Sequence, residues 1–78
     1  MNGEITIHCV PDDHNNETVF QRVRELGVGT RIVVCPPSAR ELYRMPFVVD
    51  ERGARYFGAD GIEGFVSSRL AAAKEESR

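Results

Sequence analysis

The 78 residues carry 10 basic and 12 acidic side chains, for a formal charge of −2, so the chain has no net positive field with which to collect nucleic acid or anionic lipid, and neither partner is expected. A chain this short hides roughly 60% of its unfolded surface on folding, which predicts one domain over 1–78 in which every apolar stripe is used. No apolar run approaches the roughly 20 residues of a membrane span, and Met1-Asn2-Gly3-Glu4 lacks the features of a signal segment; with only Cys9 and Cys35, a cytoplasmic setting with both thiols reduced is expected.

Residues 4–10 are rich in β-branched side chains, between Asn2-Gly3 and Pro11-Asp12-Asp13, and predict a first strand. Val19, Phe20, Val23 and Leu26 then recur on one helical face, and this helix should stop at Gly27. In residues 31–35, Arg31 is followed by Ile32-Val33-Val34-Cys35, a continuous apolar run of the kind found in strands covered on both faces. Strand, helix and strand in succession imply a right-handed parallel crossover.

Pro36-Pro37 ends that strand, and Ser38 with Glu41 resembles a capping box opening a short helix. Pro46 disfavours helical geometry at Met45, so the helix ends there. Residues 47–50 and 54–57 flank Glu51-Arg52-Gly53 and predict an antiparallel hairpin with Gly53 at positive φ. Asp60 is placed to cap the last helix, whose inward stripe is Ile62, Phe65, Val66, Leu70 and Ala73, and residues 74–78 are expected to fray.

This order, β-α-β-(short α)-β-β-α, predicts an α/β fold with a four-stranded mixed sheet and helices packed on it. It resembles the minimal glutaredoxin form of the thioredoxin fold over nearly the whole chain. The specific matches are Met45-Pro46-Phe47-Val48-Val49-Asp50, similar to the family's cis-proline strand, and Gly58-Ala59-Asp60-Gly61, similar to the segment before its last helix. The amino-terminal domain of glutathione transferases shares both features.

Counting from the first strand, the family's Cys-x-x-Cys motif falls on Asp13-His14-Asn15-Asn16, so Asp13 and Asn16 stand where the cysteines would be. In that family a thiolate at the helix amino terminus is the attacking group in disulfide exchange, which a carboxylate cannot replace. Asp13 can instead accept hydrogen bonds from the following turn, a capping role that Asn15 or Asn16 could also fill.

The resemblance implies that the main chain at Met45 and Pro46 pairs with an extended thiol peptide, and that Gly58, Asp60 and Gly61 receive the glutamyl end of glutathione, with Asp60 meeting its ammonium group. The alternatives are a trans proline that begins a strand and a capped helix behind a glycine turn.

Cys9 shares strand parity with Ile5 and Ile7 and reads as a core thiol. Cys35 ends the second strand, at the edge where open α/β sheets bind ligands. Three readings follow: a binding module for a peptide or glutathione-like thiol, an atypical thiol-disulfide oxidoreductase using Cys35 with Cys9, and a structural or protein-interaction module. His8, Cys9, Asp12, Asp13, His14 and Cys35 lack a familiar ligand spacing, so no metal is expected, nor any cofactor other than glutathione as a ligand.

Overall fold

A computed structural model describes residues 4–38 and 44–76. Strands β1 (Ile5–Cys9), β2 (Thr30–Val34), β3 (Phe47–Val49) and β4 (Arg55–Phe57) form one mixed sheet in the order β2-β1-β3-β4. β1 and β2 are parallel, and β3 is antiparallel to both β1 and β4. Helix α1 (Asn16–Arg24) joins the parallel pair, and helix α2 (Gly58–Glu76) follows β4 without an intervening loop. The expected mixed α/β architecture is therefore present; the short helix expected after Ser38 falls mostly on residues 39–43, outside the described residues.

Side-chain alternation in β1 decides where the core lies. Ile5 and Ile7 point to one face and are fully buried, while Thr6 and His8 point to the other. On the first face, Ile5, Ile7 and Val48 meet Val19 and Val23 of α1 and Ile62, Phe65 and Val66 of α2. Burying each such side chain is worth about 1.5–3 kcal/mol, the main stabilising contribution in a domain this small. Phe20, Leu26 and Leu70 pack around the rim as their spacing predicts, and Tyr56 stacks on Phe65 at 4.4 Å between ring centroids.

The hairpin is held by a buried carboxylate. Asp50, 7% exposed, accepts the main-chain N–H groups of Arg52 and Ala54 on Oδ1, each at 2.9 Å. Its Oδ2 takes the Tyr56 hydroxyl at 3.4 Å and lies 3.6 Å from Arg69. Gly53 turns the loop at φ +87°, as a hairpin of this length requires. Arg69 also pairs with Glu51 and lies over the Phe65 ring, which fastens the hairpin to α2.

Four expectations need correcting. β2 is an edge strand, and Ile32 and Val34 are 44% and 64% exposed; an apolar run does not reveal which strands flank it. α2 starts at Gly58, so Asp60 sits inside the first turn instead of capping it, because Gly58 adopts φ +76° and lets β4 pass directly into helix. Ala73 is exposed, because the stripe turns away from the sheet beyond Leu70. Finally, α2 runs on through Glu76, since Ala71-Ala72-Ala73-Lys74-Glu75-Glu76 is a run of strong helix formers.

Candidate functional site

The sheet register gathers the candidate residues at one edge. Cys9 pairs with Val34, so the parallel strands end together. His8 pairs with Phe47 and Phe47 with Phe57, so β3 begins and β4 ends at that same edge. The loop from Val10 to Asn16, Cys35, Met45-Pro46 and Gly58 to Gly61 therefore all lie beyond the carboxyl ends of β1 and β2, where open α/β sheets place ligands.

On one side of this edge the Met45–Pro46 peptide bond is cis and Pro46 is fully buried. The Gly58 N–H donates to the Pro46 carbonyl at 2.9 Å, joining the start of α2 to the start of β3. Met45 is half-buried, and among the described residues none hydrogen-bonds to its main chain. The amide of Gly58 is thus taken by Pro46.

Asp60 and Arg44 stand beside this link. Arg44 Nη2 donates to Asp60 Oδ1 at 2.7 Å, and the Gly61 N–H donates to the same oxygen at 3.0 Å. The Arg44 hydrogen bond first, then that of Gly61, holds the Asp60 carboxyl below the usual carboxylate range. Both side chains are exposed, 66% and 72%, so solvent screens the pair and an incoming charged group can share or displace it. Arg44 reaches over Gly58, where a Cβ would lie 2.7 Å from Arg44 Nε.

Across the edge, Asp13 precedes α1. Its Oδ1 accepts the Asn15 N–H at 2.9 Å and its carbonyl accepts the Asn16 N–H at 3.1 Å, the turn-forming role expected of it. Asn16, the first residue of α1, donates from Nδ2 to the Val10 carbonyl at 2.8 Å and fixes the loop against the end of β1. Its Oδ1 is shielded from solvent and has no hydrogen-bond partner among the described residues. Asn15, at the amino cap, makes no side-chain capping bond.

The two cysteines are free, Cys9 buried and Cys35 half-buried. The Cys35 N–H donates to the Cys9 carbonyl at 2.7 Å, so the residues are adjacent across the parallel pair. Burial, then the neighbouring Cys35 and Asp13, pushes the Cys9 thiol up. Cys9 is thus the core thiol its parity predicts, and it is kept protonated where an exchange nucleophile needs a thiolate.

Two features of this edge escaped the sequence reading. Arg44 stands two residues before Pro46 with no periodicity in the sequence to mark it. His8 stacks on Phe47 with ring centroids 4.4 Å apart and planes 7° apart, and Phe47 meets Phe57 at 5.1 Å; the aromatic row spans three strands, and only their pairing reveals it. Burial, then the charge of Arg55, keeps the His8 imidazole below its usual 6.5. Among the described residues no three His, Cys, Asp or Glu side chains converge on a common point, and no helix is long and apolar enough to cross a membrane.

No known family model, curated protein or solved structure matches the chain.

Proposed function

We propose that the chain is a glutaredoxin-like module of the thioredoxin-fold superfamily without the paired redox cysteines, and that it binds a glutathione-like thiol or short peptide along the Met45-Pro46 edge. The observation that carries this reading is the exposed Arg44–Asp60 pair, 2.7 Å apart, beside the hydrogen bond from Gly58 to Pro46. One cation and one anion side by side complement the carboxylate and ammonium of an α-amino-acid end. The main chain of Met45, with no hydrogen bond from another described residue, can receive the extended part of the ligand as an added strand.

The environment of Cys9 weighs against its serving as the exchange partner of Cys35. Desolvation and two neighbours of acidic character oppose its ionisation, whereas exchange-competent thiols sit beside cations or helix amino termini. Asp13 and Asn16 hold the turn and supply no sulfur.

Calorimetric titration with S-methylglutathione, which cannot form a disulfide, tests the proposal. The wild type should bind one equivalent, Cys35→Ser should bind as well, and Asp60→Ala should bind at least about tenfold more weakly, the scale of one lost charged hydrogen bond. Absence of binding heat, or a Kd unchanged by Asp60→Ala, contradicts the assignment.

A further inference from the structure

The exposed large apolar side chains among the described residues are Val28, Ile32 and Val34, at 37%, 44% and 64%. All three belong to β2 or the turn leading into it, at the open edge of the sheet. An apolar, unblunted edge strand is a template for pairing with another strand.

The hydrogen bonds show which β2 groups face outward. The Ile5 N–H donates to the Gly29 carbonyl, and the Cys35 N–H donates to the Cys9 carbonyl. In a parallel ladder alternate residues bond to the neighbour, so Arg31 and Val33 bond to β1. Thr30, Ile32 and Val34 direct their N–H and C=O groups away from the sheet. These residues also pair with Ile5, Ile7 and Cys9 and share their face, so the open backbone groups and the exposed apolar side chains coincide.

We propose that β2 pairs antiparallel with β2 of a second copy, on a two-fold axis through Ile32. In that register Ile32 opposes its own copy and Thr30 opposes Val34, so every outward N–H and C=O of the strand finds a partner. Arg31, the single charged residue of β2, then faces Val33, and its charge is balanced within its own protomer by Glu4 at 3.7 Å. Centring the axis on Arg31 sets two guanidinium groups directly opposite, a repulsive pairing. Centring it on Val33 sets Thr30 against Pro36, which has no N–H to donate. Of these three axes, the one through Ile32 satisfies hydrogen bonding and charge together.

A contact built from one five-residue strand and its flanking turn is smaller than the standard interface of roughly 800 Å² per partner, so a reversible dimer is expected at about 10 µM to 1 mM. Sedimentation equilibrium over that range should show the mass rising from 8.7 kDa toward twice that value. Ile32→Lys and Val34→Lys should each hold it at 8.7 kDa, with circular dichroism confirming the fold. Hydrogen exchange on the wild type should show the amides of Thr30, Ile32 and Val34 gaining protection with concentration, while those of Arg31 and Val33 stay unchanged. A monomer at every concentration overturns the proposal and leaves the edge to a strand from a different protein. Dimerisation that survives both lysine variants, or protection gained elsewhere, places the contact on another surface and overturns it as well.

Discussion

Gly58 donates its amide to the Pro46 carbonyl at 2.9 Å. That bond ties the first turn of α2 to the residue before β3, and Arg44 and Asp60 stand on the same side of the edge.

Gly58→Ala probes this coupling. A Cβ at φ +76° would lie 2.7 Å from Arg44 Nε and 3.0 Å from Asp60 Oδ1. Arg44 is a flexible side chain and can swing away, so the conformational cost dominates, about 1–2 kcal/mol for a left-handed alanine. Chemical denaturation should show that loss. Displacement of Arg44 from Asp60 should also weaken S-methylglutathione binding, whereas Gly64→Ala, with open space around its Cβ, should leave binding unchanged.

Much of this arrangement was legible in the sequence. The periodicity of Val19 and Val23, the alternation of Ile5 and Ile7, and the Gly53 turn each specify an element locally, and each element is present. What the sequence did not show depends on neighbours distant along the chain. The run from Ile32 to Val34 is compatible with a central or an edge strand, and only the order β2-β1-β3-β4 decides. Asp50 looks like the last polar residue of a strand, and becomes a buried hub only when the hairpin closes and Tyr56 and Arg69 arrive. Arg44 gains meaning only from Asp60, sixteen positions away.

Acid should act on the fold through two sets of groups. His8 is held below 6.5 by burial and then by Arg55, so between 6.5 and its lower folded value the unfolded chain binds more protons. Stability contributed by neutral His8 is complete above 6.5 and falls as the pH drops below it. Glu51 and Glu63, held at about 2 by Arg69 and Arg22 respectively, contribute fully above their usual 4.5 and lose that contribution as the pH falls toward 2. Urea midpoints measured against pH should slope gently below 6.5 and again below 4.5, and His8→Gln should flatten the first slope only.

The cysteines should differ in reactivity. Cys9 is 3% exposed with its thiol pushed up, whereas Cys35 is half-buried. Mass-spectrometric alkylation of the native chain near neutral pH should label Cys35 first and Cys9 only after denaturant is added. Equal labelling of both in the folded state would mean that β1 opens readily, contrary to its place in the core.

The central claim is that the Met45-Pro46 edge and the start of α2 act together as one ligand site. Nitrogen-15 correlation spectra recorded during titration with S-methylglutathione test it most directly. The account predicts saturable shifts at Met45, Gly58, Asp60 and Gly61, with β2 from Thr30 to Val34 unmoved at constant protein concentration. Shifts confined to other surfaces, or none at saturating ligand, would contradict it.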